Sequence, residues 1–225
     1  MDRRRETASK VYAPVPAGAS PRRPRRRCSG LKIAAMEPLD ALALARSEFA
    51  RRVRLVAADD WQRPTPCDGW TVRDLVLHVV GGDRMSAALV RGATREEATA
   101  VRTNVDLGDD AVATFDKEAD DVAAAFAEPG AFERNIPHPA GIDMPGAQLF
   151  GFRVGEYVLH GWDLARAIGA DENLDQTIVH EVWNALSPMG AMIANSGVYG
   201  DGPTGQLGDD VPLQDRLLDL TGRRP

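Results

Sequence analysis

Apolar residues recur at three- and four-residue steps in several segments of this chain, which is the spacing of an amphipathic α-helix. The first such segment covers residues 38–58, and its apolar face comprises Leu39, Leu42, Phe49, Val53 and Val56. No core segment shows the two-residue alternation that is typical of paired strands. The pattern therefore predicts an all-α fold, because helices with one apolar face must bury it against each other.

The same spacing predicts further helices, which cover residues 72–91, 109–128, 147–168, 175–193 and 212–220. Thr71 and Asp74 have the spacing of a capping box at the start of the second helix, and Gly169 ends the fourth. Helices of about 20 residues joined by loops predict a four-helix bundle with additional C-terminal helices. The connection over residues 129–146 has room for a short hairpin and is long for two adjacent helices, so simple up-down-up-down order does not follow.

Positive charge is concentrated at the start of the chain. Residues 1–35 contain ten of the 27 basic residues and only two of the 33 acidic ones, so this segment carries +8 and the remainder −14. Its prolines and its lack of periodic apolar residues predict a disordered basic tail, followed by one domain over residues 36–225. Three explanations of the tail stay open: an arm for nucleic acid or an anionic surface, a targeting segment, and an extension upstream of a start at Met36. The acidic domain disfavours nucleic acid as a partner.

Two further features bear on the location of the protein. No apolar run approaches the roughly 18 to 20 residues that a helix needs to cross a bilayer, so no membrane span is expected. Cys28 and Cys67 can form at most one disulfide, and Cys28 lies in the predicted tail. The composition therefore favours a reducing cytoplasm.

Three ionisable side chains fall on apolar helix faces. Glu156 and His160 are four residues apart, so they project from one side of the fourth helix. His78 lies in line with apolar residues of the second helix and should also point inward. On spacing alone, an ordinary hydrogen-bonded pair and a buried histidine are the commoner arrangements. A divalent metal would satisfy all three groups, and a set of three protein ligands leaves a position open for catalysis.

Several other side chains have more than one interpretation. Asp163 either accepts a hydrogen bond from the free N–H of a ligand imidazole or pairs with Arg166 or Arg84. Arg84 itself either meets an anionic substrate or is a solvated helix charge. Cys67 is a reactive thiol, a fourth ligand or, as its small size favours, a partly buried loop residue.

The aromatic residues and the remaining histidines favour structural roles. Three tryptophans stand beside loops or on the fourth helix and are expected to anchor the packing rather than line an entrance: Trp61, Trp70 and Trp162. His138 is flanked by prolines and is expected in a loop, either exposed or supporting the site. His180 lies off the apolar face of its helix and is expected to be solvated.

Two motifs together resemble a known family. They are WQRPTPCDGWTVRDLVLHV, from Trp61 to Val79, and EYVLHGWDLARAIG, from Glu156 to Gly169. They are similar to the actinobacterial branch of the DinB-like superfamily, whose nearest named activity is mycothiol-dependent maleylpyruvate isomerase, through its metal-binding N-terminal domain. The resemblance covers residues 36–225 and implies an up-down-down-up bundle with a metal held by His78, Glu156 and His160.

The resemblance also implies a chemistry. It predicts a divalent metal, most simply Zn²⁺, and a low-molecular-weight thiol such as mycothiol that reacts with a small electrophile, in a thiol S-transferase or isomerase. Imidazole and carboxylate ligands also accept Ni²⁺, Fe²⁺ or Mn²⁺. The family's isomerases carry a second domain, whereas this chain ends near the expected end of the bundle, so maleylpyruvate itself is not implied. A non-catalytic metal-binding regulatory or structural protein is the alternative, and the oligomeric state stays open.

Removal of residues 1–35 should leave the melting temperature and the metal content nearly unchanged, because this segment has no apolar face to add to the core. Thermal unfolding and elemental analysis of the full-length and truncated proteins check this. A lower melting temperature or a loss of metal in the truncated protein would show that the tail docks on the domain.

Overall fold

The computed structural model describes residues 36–196 and 202–225, so the predicted basic tail lies outside the described residues. The described helices are α1 (Pro38–Val53), α2 (Val72–Val90), α3 (Arg95–Thr103), α4 (Ala111–Phe126), α5 (Gly146–Ile168), α6 (Gln176–Leu186), α7 (Gly190–Ser196) and α8 (Leu213–Leu220). One antiparallel hairpin of β1 (Asn135–His138) and β2 (Ile142–Pro145) precedes α5. The predicted all-α fold is confirmed, since this hairpin is the only sheet in the described part of the chain.

Cross-helix contacts fix the direction of the four bundle helices α1, α2, α4 and α5. Arg84 pairs with Glu118 and Arg91 with Glu128, so residue numbers rise together and α2 runs parallel to α4. His78 pairs with Glu156, and Gly82 of the next turn of α2 faces the preceding turn of α5, so these two helices are antiparallel.

The first helix completes the order. Arg46 pairs with Asp120 and Arg54 with Asp116, so α1 runs antiparallel to α4. Because α4 is antiparallel to both α1 and α5, the order is up-down-down-up, as the resemblance implied.

The long connection that this order requires lies between α2 and α4, not between the third and fourth predicted helices. It carries α3, which the apolar periodicity did not predict. Thr94 and Glu97 form a complete capping box at its start, and this spacing was the available sequence signal. The later connection, over residues 129–146, contains the β1–β2 hairpin.

The predicted fifth helix is interrupted. α6 ends at Leu186, a 3₁₀ turn covers Ser187–Met189, and α7 follows. Pro188 lies in the break, where a proline ring removes a backbone donor that a continuous helix would use. Ala185 continues the apolar spacing of Ile178 and Val182 but is exposed, and Leu186 is buried in its place.

The core lies between the four bundle helices and is centred on three aromatic rings. The ring centroid of Phe49 on α1 lies 5.1 Å from that of Phe115 on α4. The ring centroid of Tyr157 on α5 lies 5.8 Å from that of Phe115, and these two rings meet edge to face. This packing holds α5 against α1 and α4, and thereby fixes the face that α5 presents to α2. None of the helices in the described ranges has the length and apolar character needed to cross a membrane.

Gly146, the first residue of α5, should not tolerate a side chain. A Cβ atom there would lie 1.9 Å from the backbone oxygen of Ala131, which cannot rotate away. Gly146→Ala should therefore lower the free energy of unfolding by about 1 to 3 kcal/mol. Gly151→Ala, on the same helix with no atom within 4 Å of the added Cβ, should raise it by about 0.5 to 1 kcal/mol. Urea denaturation checks both, and equal effects would contradict the packing described.

Candidate metal centre

The structure brings together the three side chains that the sequence singled out. Nε2 of His78, on α2, lies 2.7 Å from Oε2 of Glu156, on α5. The same carboxylate oxygen lies 3.5 Å from Nε2 of His160, one turn further along α5. The donor atoms of the three residues all lie within 4.8 Å of one another. Two neighbouring helices therefore supply one cluster of two imidazoles and a carboxylate.

The spacing of these donors suits a small divalent ion. Ligand atoms at 2.0 to 2.2 Å from a tetrahedral ion are about 3.4 Å apart. The distance between Glu156 and His160 already has this value, whereas the shorter distance between His78 and Glu156 is that of a hydrogen bond, which must open when an ion replaces its proton. The residues present therefore fit a metal of this kind with small side-chain movements.

Charge within the cluster is balanced by protons in the metal-free form. Burial disfavours the Glu156 carboxylate, but hydrogen bonds from His160 and His78 hold its pKa well below its usual range. Burial also disfavours a charged His160, yet its contacts with Asp163, Cys67 and Glu156 raise its pKa well above the ordinary value. Burial lowers the pKa of His78. A divalent ion would take over the neutralisation that the His160 proton provides.

Asp163 fixes the orientation of His160. Its Oδ2 atom lies 2.9 Å from Nδ1 of His160, and the carboxylate is fully buried. Arg223, which follows α8, donates to both carboxylate oxygens, at 2.9 and 2.6 Å. Burial alone would raise the pKa of Asp163, but Arg223 and His160 lower it to about 2. Asp163 thus holds His160 with Nε2 directed at Glu156.

The two arginines that were the alternative partners of Asp163 bind other carboxylates. Arg166 binds Glu172, and Arg84 binds Glu118. Arg223 was not predicted, since it lies 60 residues from Asp163 and no helical periodicity relates the two.

Cys67 lies on the far side of His160 from the cluster. Its sulfur is 3.9 Å from Nδ1 of His160 and 3.4 Å from Oδ2 of Asp163, so these three residues form a second group with metal-binding atoms. The guanidinium of Arg223 occupies both oxygens of Asp163 and would repel a cation there. The geometry therefore favours the cluster on the Nε2 side of His160 as the metal site. Cys67 is a half-buried loop residue that does not reach this cluster.

The three tryptophans that were expected to anchor the packing are divided between the core and the site. The Trp70 ring lies 4.6 Å from that of His78 and 5.9 Å from that of His160, so it covers one side of the cluster. Trp162 is buried in the core, and Trp61 is half-buried against it. Trp70 also lines an open cleft of about 470 Å³ that reaches His78.

The two other histidines lie outside the cluster. His138 is in β1 rather than in a loop, is half-buried, and accepts a hydrogen bond at Nδ1 from the backbone of Ala140. Burial lowers its pKa. His180 is half-buried on α6, where a solvated side chain was expected.

The sequence matches the family described as Mycothiol maleylpyruvate isomerase N-terminal domain over residues 42–165, a range that includes all three clustered residues. Two uncharacterized proteins of Mycobacterium tuberculosis, from strains CDC 1551 and H37Rv, are each 31% identical over 198 residues, which is 84% of this chain and 98% of each relative. The chain belongs to the mycothiol maleylpyruvate isomerase N-terminal domain family. This membership confirms the resemblance carried by the two motifs.

Solved structures support the same fold. The crystal structure of the mycothiol-dependent maleylpyruvate isomerase matches with a TM-score of 0.52 and 19% identity, over 71% of this chain and 69% of that chain. A mutant of that enzyme matches with a TM-score of 0.50 and 17% identity. At this level of identity the likeness shows a shared fold, which is the DinB-like helical bundle expected for the family.

Arg223→Ala should lower the free energy of unfolding by about 3 kcal/mol, because the buried carboxylate of Asp163 loses the guanidinium that binds both of its oxygens and keeps only its contact with His160. Arg224→Ala removes the neighbouring, more exposed arginine, whose contact with Asp219 is 3.5 Å long. This variant should change the free energy of unfolding by less than about 0.5 kcal/mol. Urea denaturation of the two variants checks this. Equal stabilities would mean that the C-terminal segment does not hold Asp163.

Proposed function

We propose that this protein is a cytoplasmic, metal-dependent enzyme that uses a low-molecular-weight thiol, with mycothiol as the first candidate, to attack a small electrophile. The observation that carries the proposal is the meeting of His78, Glu156 and His160, of which His78 also lines a cleft that is open to solvent. These residues would hold a divalent ion, with Zn²⁺ expected from the two imidazoles and one carboxylate.

The chain's own residues would prepare this centre. Asp163 accepts the Nδ1 hydrogen of His160, so that Nε2 would direct its lone pair at the ligand position once an ion replaces the proton there. Arg223 keeps Asp163 charged and in place. Trp70 shields the imidazole faces from water on one side. Three protein ligands would leave at least one coordination position that the cleft makes accessible.

A bound divalent ion supplies the chemistry that the side chains lack, since it lowers the pKa of a coordinated thiol and so makes the thiolate available at neutral pH. The thiol would release its proton to solvent, and its sulfur would form a bond to an electrophilic carbon of the substrate. In conjugate addition the π pair of a C=C bond moves toward the neighbouring carbonyl group, and in a displacement the bond to the leaving group breaks with its electron pair. Later loss of the same thiol would give an isomerase, whereas its retention with departure of another group would give an S-transferase. The thiol is inferred from the family name and from the mycothiol dependence stated for the structurally similar isomerase.

The alternative is a protein in which the metal only stabilises the bundle or reports metal availability. A structural zinc site has a fourth protein ligand, and Cys67, the one thiol within residues 36–196 and 202–225, faces Nδ1 of His160 instead of the cluster. Incubation of zinc-loaded protein with mycothiol and a panel of small electrophiles separates the two functions. Thiol consumption or isomerisation above the metal-free rate supports the enzyme, and no turnover with a large metal-dependent rise in melting temperature supports the alternative.

His160→Ala should abolish bound metal while the bundle still folds, because it removes one of three protein ligands. Asp163→Asn should weaken metal binding by only about 10- to 100-fold, as is typical for a group that orients a ligand. His138→Ala and His180→Ala should retain the metal, since neither side chain belongs to the cluster. Elemental analysis and chelator competition check all four variants, with circular dichroism as the test of folding. Wild-type metal content in His160→Ala would refute the ligand assignment.

A further inference from the structure

An arginine that the function proposed above does not use lines the same cleft as His78. Arg102 lies on α3 and is half-buried beside Trp70, Leu77 and Thr103. Its position depends on close packing of α3 against α2, because a Cβ atom at Gly81 would lie 2.7 Å from the backbone oxygen of Arg102. The backbone of Arg102 is therefore held against α2 about one turn from His78, which places its side chain at the cleft.

The charge of Arg102 is not neutralised by the protein. Every other arginine in residues 36–196 and 202–225 has a carboxylate oxygen within 4.0 Å, and Arg102 has none. Asp74 also lines the cleft, but its carboxylate binds the backbone and hydroxyl of Thr71 at the start of α2. Arg84, the residue that the sequence offered for an anionic substrate, is paired with Glu118.

The Arg102 guanidinium has two hydrogen-bonding side-chain contacts among the described residues: a weak one to the sulfur of Met85, at 3.9 Å from Nη1, and one to a residue of the cluster. Its Nη2 atom lies 3.2 Å from Nδ1 of His78. A guanidinium can only donate, so this contact assigns the lone pair of His78 to Nδ1 and its hydrogen to Nε2, which donates to Glu156. His78 can ligate an ion through Nε2 only with the opposite arrangement, in which Nδ1 carries the hydrogen. The hydrogen on Nδ1 of His78 would then face the N–H groups of Arg102, so Arg102 would lose its hydrogen bond to His78.

We propose that Arg102 binds a carboxylate of the electrophilic substrate, and that it becomes free to do so when His78 turns its Nε2 lone pair to the metal. This inference rests on the proposed function, and it assigns the substrate to the class of small carboxylic acids. The planar guanidinium offers two parallel N–H donors that match a carboxylate. A single unpaired positive charge beside Glu156 and Asp74 suits a monoanionic group better than a phosphate dianion.

Calorimetric titration of zinc-loaded protein with succinate, succinamide and inorganic phosphate tests the binding step. Succinate should bind wild type, and Arg102→Ala should weaken it by about tenfold or more, the loss expected for charge-assisted hydrogen bonds. Arg102→Lys should be intermediate, because it keeps the charge without the paired donors. Arg73→Ala removes a nearby arginine that already pairs with Asp106 and should bind succinate as wild type does.

Two further measurements separate this inference from the metal centre itself. Chelator competition should show that Arg102→Ala binds zinc at least as tightly as wild type, since the variant removes a donor from Nδ1 of His78. Imidazole ¹⁵N spectra should show the hydrogen of His78 on Nε2 before zinc is added and on Nδ1 afterwards. Melting temperatures confirm that each variant is folded.

The outcomes are distinguishable. Zinc binding with unchanged succinate affinity in Arg102→Ala, or phosphate bound in preference to succinate, overturns the role of Arg102 and leaves the metal centre intact. Absence of zinc from wild type overturns both. Weaker succinate binding confined to the Arg102 variants, with zinc retained and succinamide affinity unchanged, supports the inference.

Discussion

The carboxylate of Glu156 between two imidazoles is the interaction on which the site depends. A charged group among the apolar faces of a bundle is costly unless its partners are also supplied, and here they come from α2 and from the next turn of α5. The arrangement continues through Asp163 to Arg223, so a line of alternating charge links the cluster to the segment after α8. The groups that would hold and support a cation therefore also tie the end of the described chain to the bundle.

The helix order creates both the cluster and its entrance. Because α2 and α5 are antiparallel neighbours, His78 meets Glu156 at one level of the bundle. Two parallel helices, α2 and α4, need a long connection, and that connection supplies α3. The packing of α3 at Gly81 then places Arg102 on the wall of the cleft that reaches His78.

The sequence predicted the parts of the site that depend on residues close together in the chain, and missed those that depend on distant residues. Glu156 and His160 share one helix face, so a four-residue spacing identifies them, and the apolar line around His78 shows that it points inward. Arg102 was missed because α3 is largely charged and its main signal is a capping box rather than an apolar period. Arg223 meets Asp163 only through the packing of α8, and no local pattern encodes a contact of that sequence separation. Local periodicity thus predicted the bundle helices and the inward direction of the three side chains, and the motif resemblance predicted that they meet, whereas the groups that support and flank the cluster required the three-dimensional structure.

X-ray absorption spectroscopy of the metal-loaded protein, recorded before and after addition of mycothiol, shows which atoms surround the ion. Two imidazole nitrogens and one carboxylate oxygen are expected at about 2.0 to 2.2 Å from it, with a new sulfur neighbour at about 2.3 Å once the thiol is present. The sulfur signal should be retained in a Cys67→Ser variant, because it comes from the added thiol. A metal environment without two imidazoles, or one that gains no sulfur with mycothiol, would contradict a thiol-dependent centre at His78, Glu156 and His160.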